Sequence, residues 1–244
     1  MPRYEFPAYV PVAQRRIRIA REIAKRTKKG VAVEPVAIQG RLIANTFWGK
    51  AWCDHLEGCS DFANRLPRGR AYVRNGSVLH LAIAAKRIEA LVQGSELYEV
   101  SVEIPALPKP RWKTIVRACG GQVASLVELL QGKLSTGVMK IVTHAEQGLF
   151  PAPAQVEMSC SCPDSATMCK HVAAVLYGVG ARLDTKPELL FVLRGVDHLE
   201  LIDGAASAKV TAASSGASRR LASDELSGIF GIDLDTGPKR PRRR

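Results

Sequence analysis

A cluster of cysteine and histidine residues in the second half of the chain is the part of the sequence best suited to chemistry. Cys160 and Cys162 are separated by one residue, and Cys169 and His171 repeat that separation after six intervening residues. Three thiols and one imidazole are the ligand set of a closed tetrahedral Zn²⁺ site. The intervening residues are mostly turn formers, which favours a ligand loop over a buried cysteine cluster. We therefore predict one structural zinc ion bound by these four side chains.

A zinc ion with four protein ligands has no open coordination position, so it cannot bind and activate water as catalytic zinc does. His80, His144 and His198 are isolated in the sequence, which has no nucleophile elbow and no H-E-x-x-H pattern. A non-catalytic protein is therefore predicted. An enzyme stays open as a third interpretation, because a nuclease site can be built from carboxylates that are far apart in the chain.

Three further cysteines, Cys53, Cys59 and Cys119, lie outside this cluster. Cys53 and Cys59 flank His55, which raises the question of a second metal site. On a helix, however, offsets of two and six residues from Cys53 place these side chains around the axis rather than on one face. We interpret these cysteines as packing residues.

The positive charge of the chain is concentrated at its two ends. The net charge is +12 for 244 residues. A predicted helix over 14–29 carries one acidic residue, Glu22, and eight basic residues: Arg15, Arg16, Arg18, Arg21, Lys25, Arg26, Lys28 and Lys29. The last six residues contribute Lys239, Arg240, Arg242, Arg243 and Arg244. This distribution predicts phosphate-binding arms, with a solvated helix that has no partner as the alternative. A membrane-surface helix is disfavoured, because its apolar stripe lacks bulky aromatic residues.

The periodicity of the sequence predicts an α+β fold: a small antiparallel sheet with helices, then a β-turn-helix zinc finger and a flexible C-terminal tail. The predicted helices cover 46–65, with Trp48, Trp52, Leu56 and Phe62 as packing residues, then 110–119, 121–131, 135–147 and a segment from Lys170. The predicted strands cover 70–75, 77–84, 87–93 and 97–104, with 155–160 extended and with turns at Asn75-Gly76 and Gly94-Ser95. Trp112 is interpreted as a core residue.

We divide the chain into a basic N-terminal arm (1–40), an α+β domain (41–147), a zinc finger region (148–203) and a tail (204–244). Within the tail, 204–218 is predicted to be a flexible linker and the final basic residues to be disordered. Between them, the apolar residues of 223–235 either pack on the body or dock on a partner.

A second basic group lies on the predicted strand 70–75 and just before it. Arg65, Arg68, Arg70 and Arg74 stand close in sequence to Tyr72. Arginine and tyrosine together bind phosphates and stack on bases. The alternative is a solvated strand edge on which arginines discourage edge pairing.

The pattern C-x-C-x6-C-x-H, between an extended segment and an apolar helix, resembles the SWIM zinc finger. The stretch CSCPDSATMCKHVAAVLYGVGARLD is similar to bacterial members, and so are TFWGKAWCDHLE, NRLPRGRAYVRNGSVLHL and ALVQGSELYEVSVEI upstream. Together these segments span most of residues 41–195. The resemblance implies a cytoplasmic protein that binds one zinc ion through Cys160, Cys162, Cys169 and His171.

SWIM fingers are associated with DNA binding and with protein interaction, in or beside Swi/Snf-type ATPases, transposases and recombination proteins. This chain has no G-x-x-x-x-G-K-[ST] phosphate loop, so any such ATPase must be a separate chain. Our leading hypothesis is therefore a non-catalytic zinc protein of the cytoplasm that binds DNA or RNA, with association with the nucleoid left open. The alternative is an adaptor whose finger and C-terminal segment dock on a partner protein. The sequence shows no membrane span and no signal peptide, so no membrane is expected to be involved.

Overall fold

The computed structural model describes residues 10–202, apart from Gly121, Ala124, Ala145 and the side chain of Leu126. The predicted linker, the apolar segment 223–235 and the basic tail therefore lie outside the described residues. The helices are α1 (Val12–Lys28), α2 (Phe47–Glu57), α3 (Arg65–Arg74), α4 (Lys109–Cys119), α5 (Leu126–Gln131), α6 (Thr136–Val142), α7 (Lys170–Leu183) and α8 (Glu188–Arg194). The strands are β1 (Val78–Ala84), β2 (Arg87–Gln93), β3 (Leu97–Glu103) and β4 (Glu157–Cys160).

The four strands form one antiparallel sheet in the order β1-β2-β3-β4, which confirms the predicted α+β fold. Alternate residues of β2 and β3 are buried, as the alternation of Tyr98, Val100 and Val102 predicts. The predicted turn at Gly94-Ser95 joins β2 to β3. Strand β4, which leads into the predicted zinc ligands, pairs with β3 and places Cys160 opposite Val100.

Helix α7 lies at the centre of the core. Its residues 171–180 are all buried, because the sheet, α2 and α3 pack around it. Small residues permit the close approach: a Cβ added at Gly69 of α3 would lie 2.5 Å from Cβ of Ala173. A Cβ added at Gly180 would lie 2.5 Å from Sγ of Cys53 on α2. The zinc finger helix is therefore also the main core helix of the preceding α+β segment.

Helix α2 is held at its start and near its middle. At its start, the carboxylate of Asp184 accepts hydrogen bonds from the backbone N–H groups of Asn45 and Thr46, at 2.5 Å and 3.0 Å. Further along, Nε1 of Trp52 donates to the backbone oxygen of Leu176 in α7 at 2.9 Å. Trp48, Trp52 and Leu56 are buried as predicted, and so is Trp112 in α4.

Three sequence-based expectations are wrong around α3. The segment 70–75, predicted as a strand, belongs to a helix, because Leu66, Gly69 and Val73 recur at helical spacing and pack on α7. Asn75-Gly76 ends this helix instead of forming a hairpin: Gly76 has a φ of +69°, and its N–H donates to the carbonyl of Val73. The predicted helix 46–65 is interrupted after Glu57, and Phe62 in the interruption is 54% exposed rather than packed.

Helices α5 and α6 are shorter than the predicted ranges 121–131 and 135–147. Helix α5 begins only after Ser125, whose side chain accepts a hydrogen bond from the N–H of Glu128, and it ends at Gly132. Helix α6 begins after Ser135, which caps it through the N–H of Val138 in the same way. Among the described residues, no helix combines the length and the apolar composition needed to cross a membrane.

Candidate metal centre

The four predicted ligands come together at the junction of β4 and α7. Cys160 ends β4, Cys162 lies in the turn that follows, Cys169 is the N-cap of α7, and His171 lies in the first turn of that helix. Their ligand atoms all lie within 4.8 Å of one another. Nδ1 of His171 is 3.8 Å from Sγ of Cys160 and 3.9 Å from Sγ of Cys169.

These distances fit a single zinc ion. Zn–S bonds of about 2.3 Å at tetrahedral angles put neighbouring sulfur ligands about 3.8 Å apart. The four atoms therefore need to move by less than about 1 Å to coordinate the ion, with Nδ1 as the histidine ligand. The Cys₃His cluster is positioned to bind one zinc ion, and it is the one cluster of this kind in the part of the chain that the structure describes.

Hydrogen bonds from the body hold the two ends of the ligand loop. Oγ of Ser161 accepts from the N–H of Glu99 in β3 at 3.0 Å, so this side chain points away from the metal. The carboxylate of Asp61 accepts from the backbone N–H groups of Thr167 and Met168, at 2.8 Å and 3.2 Å. Sequence reasoning missed Asp61, because it lies 108 residues before Cys169 and no local motif links the two.

The three thiols of the cluster differ in how readily they lose their protons. The pKa of Cys169 is lowered to about 4, because the Cys160 thiol donates a hydrogen bond to its sulfur and His171 and the N–H of Val172 contribute further. The pKa of Cys160 is raised by its role as this proton donor and by burial, and burial also raises the pKa of Cys162. Zinc would ionise all three thiols, and its positive charge would stabilise the thiolates in place of the hydrogen bonds between them.

The ring of His171 is held by aromatic packing rather than by a carboxylate. It is 1% exposed, stacks on Tyr98 with ring centroids 4.4 Å apart, and meets Tyr72 edge to face at 5.3 Å. A Cβ added at Gly94 would lie 2.9 Å from Nε2 of His171. Burial lowers the pKa of this imidazole, which favours the neutral form that binds zinc.

Replacing Asp61 with alanine is expected to lower zinc affinity by about 10-fold to 100-fold, because the loop between the two ligand pairs loses its anchor. Competition with a chromophoric chelator measures this affinity. The control is Asp54→Ala, which removes an exposed carboxylate from nearby α2. Equal zinc affinity in the two variants would contradict the role assigned to Asp61.

The remaining cysteines are separate from the centre. Cys119 is fully buried, and burial raises its pKa to about 11. Cys53 and Cys59 are half-buried, and burial raises the pKa of each. Sγ of Cys59 lies 3.9 Å from Nε2 of His55, one helical turn away. Their surroundings disfavour thiolates and fit the interpretation of these cysteines as packing residues.

The predicted phosphate-binding residues lie on two helices. Most of the basic side chains of α1 and its C-cap residue are exposed, namely those of Arg16, Arg18, Arg21, Lys25, Lys28 and the C-cap Lys29. Arg26 is half-buried and pairs with Glu22 at 2.8 Å. Arg15 is 6% exposed and lies on the inner face of the helix. On α3, Arg68 is exposed, Nη1 of Arg70 donates to Glu57 at 2.7 Å, and Nη2 of Arg74 donates to the backbone oxygen of Arg41.

The geometry and the ligand spacing define a SWIM zinc finger. Residues 150–179 match the SWIM zinc finger family, which confirms the interpretation of the C-x-C-x6-C-x-H pattern. The chain is also 33% identical over 178 residues to the uncharacterized protein Rv2102 of Mycobacterium tuberculosis. The match covers 72% of this chain and 64% of that protein, so the chain spans less than two thirds of its relative. No solved structure matches the chain.

Proposed function

We propose that this protein is a non-catalytic zinc-finger protein that binds nucleic acid through phosphate contacts made by α1. The observation that carries the proposal is a basic strip on the exposed side of α1. It consists of Arg18, Arg21, Lys25 and Lys28, all exposed and spaced three or four residues apart along the helix. From Arg18 to Lys28 the strip extends about 15 Å, at about 1.5 Å per residue.

The strip keeps most of its charge, because Glu22, the one acidic residue of α1, forms its shorter ion pair with a residue outside the strip. Glu22 is half-buried and pairs most closely with Arg26, while its second oxygen is 4.0 Å from Lys25. Nη1 of Arg18 donates a hydrogen bond to the backbone oxygen of Ser95 at 2.9 Å, which restricts the motion of this side chain. A row of cations on a helix fixed to a folded body is suited to contacts along a phosphate backbone.

Other basic residues contribute less to the proposed interface. Arg70 binds both Glu57 and the hydroxyl of Tyr177, so it ties α3 to its neighbours. Arg74 is exposed but lies on α3, outside the basic strip, where it donates to the backbone oxygen of Arg41. Arg15 is buried, and we leave it out of the contact set. Arg68 stays in the set as an exposed cation on α3.

The zinc site supports a structural role for the metal. A Cys₃His set occupies all four positions of a tetrahedral ion and leaves none for a substrate or a water molecule. Two of the histidines outside the cluster serve as local acceptors: Nδ1 of His80 accepts from the N–H of Glu34, and Nδ1 of His144 accepts from the N–H of Glu146. These observations favour a binding protein over an enzyme.

The same proposal places the protein in the cytoplasm, on the nucleoid, as an accessory of a DNA-dependent machine. SWIM fingers occur in or beside Swi/Snf-type ATPases, which supports an ATPase of this class, as a separate chain, as one candidate partner. Affinity purification with and without nuclease separates this role from that of a protein adaptor. Partners that persist after nuclease treatment in a variant without the basic strip would favour the adaptor.

Replacing Arg18, Arg21, Lys25 and Lys28 with glutamine is expected to weaken binding to a 25-base-pair duplex by more than about 100-fold at low salt. The slope of log affinity against log salt should fall by about 3 to 4, one for each phosphate contact removed. Fluorescence anisotropy with duplex DNA, single-stranded DNA and duplex RNA measures both quantities.

A matched control changes the same net charge elsewhere. Lys109, Lys113, Lys133 and Lys140 are all exposed and lie outside α1 and α3. Their replacement with glutamine is expected to change affinity by less than about 3-fold, because only long-range attraction is lost. If both quadruple variants lose the same affinity, or if the wild type binds none of the three probes, the proposed function is wrong.

A further inference from the structure

The inner face of α1 buries a cation next to the metal centre. The guanidinium of Arg15 lies over the ring of Tyr72, with Cζ 4.6 Å from the ring centroid. Nε and Nη1 of Arg15 are buried and have no hydrogen-bond partner in the described part of the chain. Burying a guanidinium is unfavourable unless other contacts compensate, and within the described residues the aromatic face of Tyr72 is such a contact.

Tyr72 in turn contacts the zinc ligand. Its ring meets the ring of His171 edge to face, with centroids 5.3 Å apart, and the ring of His171 also stacks on Tyr98. Four side chains from α1, α3, α7 and β3 thus form one continuous stack, which we call the Arg15–Tyr98 stack. His171 is the member of the stack that also coordinates the metal.

A second contact joins α1 to the same place. Nη1 of Arg18 donates to the backbone oxygen of Ser95 in the turn between β2 and β3. The preceding residue of that turn, Gly94, is packed against Nε2 of His171. Helix α1 therefore rests on two groups that both contact the imidazole, although none of its residues belongs to the ligand cluster.

We propose that zinc binding by His171 holds α1 in its binding position, so that the metal regulates the nucleic-acid site without contacting nucleic acid. Zinc bound by the four ligands would hold the ligand loop and the start of α7 together, and with them the ring of His171 on which Tyr72 packs. Without the ion the start of α7 would lose this support, the contacts of His171 with Tyr72 would weaken, and the buried cation of Arg15 would favour solvent. This inference rests on the proposed function for its consequence, while the coupling itself is independent of it.

Hydrogen exchange of the full chain, read by mass spectrometry, tests the coupling without nucleic acid. Arg15→Met keeps an unbranched side chain with good helix propensity and removes the guanidinium. We expect amides of residues 12–28 to exchange about 10-fold faster, while zinc content stays at one ion per chain and residues 157–171 keep their protection. Arg16→Met is the control, because it removes the same charge from an exposed position of the same helix.

Tyr72→Leu tests the middle of the stack in the same way. It should accelerate exchange in 12–28 at least as much as Arg15→Met does, and adding Arg15→Met to it should give no further increase, because the contact between Arg15 and Tyr72 is already lost. Additive effects, or unchanged exchange of α1 in the zinc-bound single variants, would overturn the proposal.

Chelation of the wild type completes the test. We expect exchange in 12–28 to accelerate about as much as in Tyr72→Leu, while residues 87–103 of β2 and β3 stay protected. Protection of α1 that survives zinc loss would overturn the proposal. If chelation also accelerates exchange in β2 and β3, the whole body has opened, and the test then depends on the exchange of residues 12–28 in zinc-bound Arg15→Met and Tyr72→Leu. Faster exchange of α1 without any nucleic-acid binding would support the coupling and reject only the proposed function.

Discussion

A Cys162→Ser variant is expected to retain well under one zinc ion per chain and to melt more than about 10 °C below the wild type. Serine cannot supply the thiolate, so the ligand set loses one of its four members. Free energies of zinc binding by finger peptides, roughly 10–16 kcal/mol, are available to folding only when the site is complete. Elemental analysis of zinc and thermal unfolding followed by circular dichroism measure the two effects.

The effect should extend beyond the finger because the ligands lie at the start of the main core helix. Cys169 caps α7 and His171 begins its buried stretch, so a disordered ligand loop also loosens the packing of α2 and α3 on α7. The control is Cys59→Ser, in which an equally half-buried thiol outside the cluster is replaced. A Cys162→Ser protein with one tightly bound zinc ion would contradict the assigned ligand set.

A Gly69→Ala variant is expected to lose about 2–3 kcal/mol of unfolding free energy, which corresponds to a decrease in melting temperature of about 4–12 °C. The added methyl would lie 2.5 Å from Cβ of Ala173 and 3.0 Å from the backbone N of Ala174. Backbone atoms of a buried helix cannot yield as a flexible side chain would. This overlap exceeds the gain of up to about 1 kcal/mol that alanine brings to a helix.

Removal of the opposing methyl tests this explanation directly. Gly69→Ala combined with Ala173→Gly exchanges the two side chains across the α3–α7 contact and should recover part of the lost stability, in a double-mutant cycle of chemical denaturation. Gly58→Ala is the control, since a Cβ there would be 3.4 Å from the carbonyl of His55, an ordinary contact. Equal destabilisation by Gly69→Ala and Gly58→Ala would show that the helix contact is not tight.

Local patterns in the sequence predicted the elements whose signals are strong. The clean alternation over Tyr98, Val100 and Val102 identified β3, and the ligand spacing identified the metal site. Residues 70–75 were predicted as a strand because Tyr72 and Val73 favour strands. The close packing of Gly69 on Ala173 of α7 instead stabilises a helix there. That contact joins residues about one hundred positions apart, so no pattern in the neighbouring sequence indicates it.

The surroundings of the metal site were also beyond local prediction. Asp61 and Tyr72 act on the ligand loop and on His171 from segments about one hundred residues upstream, and only the fold brings them there. The burial of Arg15 has the same origin: a run of arginines on a helix predicts solvent exposure for all of them. One member of the run, one helical turn before the buried Ile19, faces an aromatic ring.

The enclosure of α7 sets a limit on engineering with this finger. In the small zinc fingers used as interchangeable parts, the metal supplies most of the stability and the peptide can be moved to a new host. Residues 171–180 of this chain are surrounded on all sides by partners from distant segments. A synthetic peptide or fusion limited to residues 150–179 would present an apolar helix to water and would aggregate, whether or not zinc were supplied. The finger can be transplanted only together with the sheet and helices that enclose it.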